Sequence, residues 1–369
     1  MTDTRYSEKF TQAYEQYEKE HPKPVILVAG ATGSGKSSLI NLVLNLPEEK
    51  CAKTGSGVPV TQKMEKFEDG NIIVFDSKGY ETGEEQQEAF FTEIKQFIEE
   101  RKNSEETAVN IIWYCISTPS ARILDVDINV LRFFAQQGIP TALVLTQVDV
   151  ASEEDAQALK KIAHQEFPDL DIFESSLDVS VQLPAGIDHL YQWTLDHLDA
   201  TRRTAFFYAA NRDLAQKLTE GESIIRQHTL AAFGIGFTPI PVADAPLLIA
   251  DQMTLLARLS TLWGLTSLKE TLIGGGLLDM VMSQLGKSIA GNLLKLLPGV
   301  GSLAGGMING SVGAALTWAL GTAVNTTSYK ICQAQLRGER IVLTDYFNND
   351  FIKLIMQLIT EAKNRQVWK

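Results

Sequence analysis

Cysteine is scarce. Cys51, Cys115 and Cys332 are the three in 369 residues, too few and too scattered for a disulfide framework, and no CxxC pair offers a zinc site. A reducing, cytoplasmic compartment is therefore expected. The opening stretch MTDTRYSEKFTQAYEQYEKEH holds no apolar run, so no secretory signal is expected there. Positive charge is also in short supply: 33 Lys+Arg stand against 45 Asp+Glu, a net charge of −12. A general nucleic-acid binder needs a basic face to displace counterions from phosphates, so no nucleic-acid partner is expected. The deficit is uneven. Residues 201–369 hold 16 Lys+Arg against 11 Asp+Glu, net +5, which leaves −17 on the first 200. No internal repeat of fixed period is present. Apolar side chains are plentiful, at 44% of the chain, and a chain of this length suggests two domains more readily than one.

Aromatic residues Tyr6, Phe10, Tyr14 and Tyr17 recur at helical spacing before His21-Pro22, which predicts an N-terminal amphipathic helix within residues 1–22. Residues 23–203 alternate short apolar runs with longer amphipathic stretches, the pattern of βα units around a mostly parallel sheet with helices on both faces. PVILVAG, NIIVFDS, VNIIWYCIS and TALVLTQVD read as strands buried on both faces. Further strands near residues 60–67 and 177–181 bring the expected sheet to about six. Beyond Arg203 such runs vanish and Leu, Ala and Gly dominate, so residues 204–369 are expected to be all α-helical. The expected helices there include a long apolar one in residues 233–265 and an amphipathic one over residues 345–362.

One run carries specific chemistry. GATGSGKS, residues 30–37, satisfies G-x-x-x-x-G-K-[ST] in full, after an apolar strand and before a helical pattern. Its glycines Gly30, Gly33 and Gly35 let the backbone wrap phosphates, with the amides of Thr32, Ser34 and Ser38 and the helix N-terminus facing the negative charge. Lys36 reaches the outer phosphates, and Ser37 places a hydroxyl on Mg²⁺. Downstream, Asp76 and Gly79 form D-x-x-G in DSKG, the aspartate suited to a Mg²⁺-bound water and the glycine amide to a γ-phosphate. Between the two lies TGSGVPVTQ. Thr61 is the candidate for a loop threonine that closes on Mg²⁺, with Thr54 as its competitor.

The ordered set GATGSGKS, GVPVT, DSKG, TQVD and DVSVQ resembles the Era-like branch of the translation-factor-related P-loop GTPases. The resemblance spans residues 24 to about 200. It implies an α/β P-loop NTPase G domain in which Mg²⁺ and GTP or GDP are bound, Thr146, Gln147 and Asp149 face guanine, and Ser180 and Val181 support the base. Asp149 is the discriminating residue, because a carboxylate accepts from guanine N1–H and the 2-amino group, donors that adenine lacks. Gln147 departs from the family pattern, which has lysine there; looser binding with retained guanine preference is the expectation. Tyr80 departs too, standing just after D-x-x-G where many GTPases carry a glutamine that positions water. Slow intrinsic hydrolysis follows, with Glu81, Glu84, Glu85 or a partner left to supply the missing group.

The architecture also loosely resembles immunity-related and dynamin-like GTPases, whose G domains carry flanking helices. Residues 296–329 contain no charged residue, long enough to cross a bilayer core of roughly 20 residues. With the +5 balance this suggests an anionic membrane surface as a partner, peripheral or integral at its inner face. Pro298, Asn309, Asn325 and the glycines of the run suit a buried helical bundle equally well. Two functions compete: a slow GTPase acting as a nucleotide-dependent switch, and a structural, self-assembling protein that uses nucleotide mainly as an assembly cofactor. Homo-oligomerisation fits either.

Overall fold

A computed structural model describes residues 4–47, 51–52, 64–81, 83–178, 180–181, 183–235, 244–264 and 310–368. The chain divides into two compact units: His21–Arg212, and Met1–Glu20 with Asp213–Lys369.

The first unit is a six-stranded sheet between two layers of helices. Its strands are β1 (Val25–Gly30), β2 (Glu65–Asp69), β3 (Ile72–Asp76), β4 (Ile111–Ser117), β5 (Thr141–Thr146) and β6 (Asp171–Glu174). Their spatial order is β2-β3-β1-β4-β5-β6. The β2–β3 pair is antiparallel, and every other pairing is parallel. Side chains alternate across the sheet. Leu27, Ile112, Tyr114, Leu143 and Leu145 face a core built with α3 (Glu84–Arg101), α4 (Asp125–Gln137) and α5 (Glu153–Glu166). Ile26, Val28, Trp113, Ala142 and Val144 face the opposite core, with α2 (Lys36–Leu44) and α6 (Ile187–Asp196). Both faces are thus covered, which is why the strands read as unbroken apolar runs.

Two expectations are corrected here. The last strand is β6, DIFE, and not residues 177–181. There the side chains of Ser176 and Asp178 bond nearby backbone, Asp178 N–H donating to Ser176 Oγ (2.9 Å) and Ser180 N–H to Asp178 Oδ1 (2.8 Å). Such local bonds compete with ladder bonds and make a loop. The unit also runs past residue 203: α7 (Ala200–Ala209), capped by the Asp199 carboxylate on the amides of Thr201 and Arg202, buries Phe206 in the second core, and Ala210 just past its end is buried there too. Of the expected strand at 60–67, residues 64–67 are described, and β2 begins at Glu65.

The second unit is helical. It comprises α1 (Thr4–Glu20), α8 (Leu214–Ile235), α9 (Asp244–Leu262), α10 (Gly310–Leu336), α11 (Leu343–Tyr346) and α12 (Asn349–Arg365). Helix α1 packs on α9, and α10 packs on α8, α9 and α12. The amphipathic helix expected over 345–362 is two helices, because Asn348 stops the chain and caps α12, accepting from Asp350 N–H at 2.8 Å. Close helix approach needs small residues: a Cβ added at Gly321 would stand 2.8 Å from Ile225 Cγ1. The uncharged run lies outside the described residues up to 309. From Gly310 it is α10, buried around most of its circumference. Among the described residues no helix is long and apolar enough to cross a membrane.

Candidate nucleotide site

The site forms where β1, β3, β4 and β5 end. Strand β1 delivers Gly30 into the turn that opens α2 at Lys36. Gly30 has φ +141°, and a Cβ there would lie 2.1 Å from the Cys115 carbonyl oxygen of the adjacent strand. No other residue fits that approach. The turn carries Thr32, Gly33, Ser34 and Gly35 to the first turn of α2, where Lys36, Ser37 and Ser38 stand.

Lys36 curls over the loop, donating to the carbonyls of Ala31 (2.8 Å) and Gly30 (3.3 Å). It is 7% exposed. Burial lowers its pKa, and the nearby Asp76 carboxylate opposes that shift. Beneath it, burial pushes the Cys115 thiol up to about 12, so this cysteine is a neutral floor.

The DSKG loop folds directly onto the phosphate loop. Thr32 N–H donates to the Tyr80 carbonyl at 2.9 Å. A Cβ at Gly79 would lie 2.7 Å from Thr32 N and 2.9 Å from Lys36 Nζ. Asp76, at the end of β3, accepts from the Ser37 hydroxyl at 2.6 Å through Oδ2. Its Oδ1 is buried without a partner among the described residues, as are the hydroxyls of Ser34 and Ser77. Buried polar atoms are normally paired, and a hydroxyl beside a carboxylate with an open lone pair is a donor set for Mg²⁺, which is bound by few protein oxygens together with phosphates and water. The residues present therefore fit the ion, with Ser37 and Asp76 to hold it. Lys78 and Glu81 are exposed, as are Glu84 and Glu85 at the start of α3. Thr61 and Thr54 lie outside the described residues.

TQVD borders the same loop. The β4–β5 register sets Ser117 beside Thr146. Thr146 Oγ1 donates to the Ser34 carbonyl at 2.8 Å. Gln147, with φ 58°, turns its side chain back, and Nε2 donates to the Gly33 carbonyl at 3.0 Å. Asp149 follows, exposed, in a single turn, Val148–Val150. Across from it, Val148 N–H donates to the Ser175 carbonyl at 3.3 Å. Ser175, directly after β6, is thus the residue tied to TQVD, while Ser180 and Val181 stand exposed farther along the loop. Placing the last strand at residues 177–181 hid Ser175; the isoleucine and phenylalanine between the two acidic residues of DIFE were the available signal.

Tyr80 is the second residue that sequence could not place. Its ring is 7% exposed and packs on Phe90 with centroids 5.2 Å apart. Its hydroxyl donates to Asp127 on α4. Tyr80 is thus a core residue whose side chain points away from the phosphate loop its carbonyl touches.

Residues 25–147 match the family model described as 50S ribosome-binding GTPase. The chain is 28% identical over 144 residues to the probable GTP-binding protein EngB of Aquifex aeolicus, covering 38% of this chain and 74% of that protein. It is 26% identical over 188 residues to the probable GTP-binding protein EngB of Lactobacillus gasseri, covering 49% and 93%. Among solved structures it is similar to an Aquifex aeolicus Era variant bound to GDP·AlF4−, with a TM-score of 0.37, 18% identity and coverage of 57% and 68%. The family model falls on the unit that holds the phosphate loop. That part of the chain is a P-loop GTPase domain related to the translation- and ribosome-associated GTPases.

Proposed function

We propose that this GTPase turns over slowly and acts as a nucleotide-dependent switch whose output is the helical unit. The observation that carries the slow rate is the burial of Tyr80: the side chain just after D-x-x-G is committed to Asp127 and Phe90. No group at that position is free to orient the attacking water. Lys36 and the amides of the phosphate loop would hold the transferred phosphoryl oxygens and stabilise charge developing on them. Ser37 and Asp76 would hold Mg²⁺, which would supply charge neutralisation to the phosphates. Thr61 remains the proposed loop threonine. Asp149 would read the guanine edge. The base would be supported by the loop that follows Ser175, with Ser180 and Val181 farther out.

Single-turnover hydrolysis with enzyme in excess tests the rate. An intrinsic constant on the order of 10⁻⁴ to 10⁻³ s⁻¹ is expected, the range of a GTPase lacking its activating group; a constant near 1 s⁻¹ without any partner would sink the proposal. Association of residues 204–369 with an anionic surface rests on their +5 balance. Co-sedimentation with phosphatidylserine vesicles in the GDP and GTP-analogue states checks it, and equal absence from the pellet in both would remove it.

A further inference from the structure

We infer that Ser117 is a positioning residue for nucleotide binding, acting through Gln147 on the phosphate loop. The inference rests on the nucleotide-site reading above. Ser117 closes β4, and its register partner is Thr146. Its hydroxyl donates to Gln147 Oε1 at 2.9 Å, while Gln147 Nε2 donates to the Gly33 carbonyl at 3.0 Å. The three groups form one chain from the sheet to the phosphate loop.

The chemistry of glutamine makes the middle link dependent on the first. A carboxamide has one accepting and one donating end. Turned over, Gln147 would set oxygen against the Gly33 carbonyl and repel it. Ser117 offers a donor to the oxygen end and so fixes which end faces the loop. The backbone of Gln147 is left-handed, at φ 58°, which is costly for a residue other than glycine or asparagine. Holding it there aims the side chain at Gly33. Alongside, Thr146 Oγ1 takes the Ser34 carbonyl, so two consecutive carbonyls of the loop are drawn outward, leaving amides to face the phosphates. An ammonium at position 147 would need no such orientation, since it donates in every direction.

A double-mutant cycle tests this. GDP dissociation constants with Mg²⁺ are measured for the full chain, Ser117→Ala, Gln147→Lys and the double variant. Ser117→Ala should weaken GDP about five-fold with Gln147 in place, the worth of one neutral hydrogen bond, and less than about two-fold in the Gln147→Lys background. Equal losses in both backgrounds, or none in either, would overturn the inference, since a merely structural serine would not couple to position 147. The guanine reading fails separately, if the unmodified chain binds ADP as tightly as GDP; the cycle is then read with ADP, because the phosphate loop serves both nucleotides. A chain that binds neither nucleotide overturns both.

Discussion

Tyr80 and Asp127 are joined by a hydrogen bond of 2.5 Å, the tyrosine hydroxyl donating to Oδ1 of the aspartate. The same oxygen accepts from Tyr114 at 2.6 Å, and Oδ2 accepts from Leu124 N–H at 2.8 Å. Asp127 is 2% exposed. It is a buried hub that ties the DSKG loop, strand β4 and the start of α4 together. Tyr80 also meets Thr32 through its carbonyl, so the hub lies one residue from the phosphate site.

Removing the hub should be costly. Asp127→Ala leaves two buried phenols and a helix-start amide without their acceptor, a loss of roughly 3 kcal/mol in urea unfolding. Asp127→Asn keeps Oδ1 as acceptor and should recover much of that. The pH dependence has a definite sign. Burial raises the Asp127 pKa, and the bonds from Tyr114 and Tyr80 pull it back only partly. A folded pKa above the unfolded one adds stability in acid that is lost as pH rises through the folded value. Stability of the unmodified chain relative to Asp127→Asn should therefore be greatest in acid and shrink as the pH climbs from the ordinary carboxylate range. A difference that grows with pH would contradict the burial argument.

Gly79→Ala should abolish tight nucleotide binding without unfolding the domain. The residue sits at φ +78°, and a Cβ would press on the backbone of Thr32 and Ala31 and on Lys36 Nζ. Backbone cannot yield as a side-chain tip can, so the DSKG loop must back away. At least a tenfold rise in the GDP dissociation constant is expected, from left-handed strain of about 1 kcal/mol added to the clash. Unchanged affinity, by fluorescent-nucleotide titration, would show that the loop contact is dispensable.

In the helical unit a tight contact joins Gly221 to Asn325. A Cβ at Gly221 would lie 2.1 Å from Asn325 Oδ1. That oxygen accepts from Trp263 Nε1 at 2.8 Å, and Asn325 Nδ2 donates to the Leu218 carbonyl at 3.0 Å. Gly221→Ala must displace Asn325 and break a buried amide pairing. Overpacking and an orphaned indole N–H together suggest a loss of about 3 kcal/mol. Thermal unfolding followed by Trp fluorescence reads it, and a stability equal to that of the unmodified chain would show that the helices part freely.

These contacts mark where sequence was readable. GATGSGKS, D-x-x-G and TQVD announced themselves because phosphate and base chemistry demand fixed residue types at fixed spacing. The central strands were legible as apolar runs. The edge strand β6 was not, since a four-residue strand with Asp171 and Glu174 at its ends carries little pattern. Asp127 looked like any polar residue in a helix; its value arises from Tyr80, 47 positions away. The packing of α1 on α9 and the Ser117–Gln147 bond are likewise long-range, and no local periodicity encodes them. Gln147 read as a loss because its charge was missing, yet its amide reaches the loop carbonyl directly.

The base itself gives the sharpest test of Asp149. A carboxylate presents two acceptors, matched to guanine N1–H and the 2-amino group. In xanthine the 2-position bears an oxygen, so the edge offers one donor and one acceptor. Asp149→Asn presents the complementary pair. If Asp149 reads the base, the variant should lose GDP affinity by roughly a hundredfold and gain affinity for xanthosine diphosphate, because each mismatched edge leaves a polar group facing its like. Asp149 is exposed, so a ligand can approach it from solvent. A variant that binds GDP and xanthosine diphosphate just as the unmodified chain does would assign base recognition to another residue, and would leave TQVD with the phosphate loop as its only client.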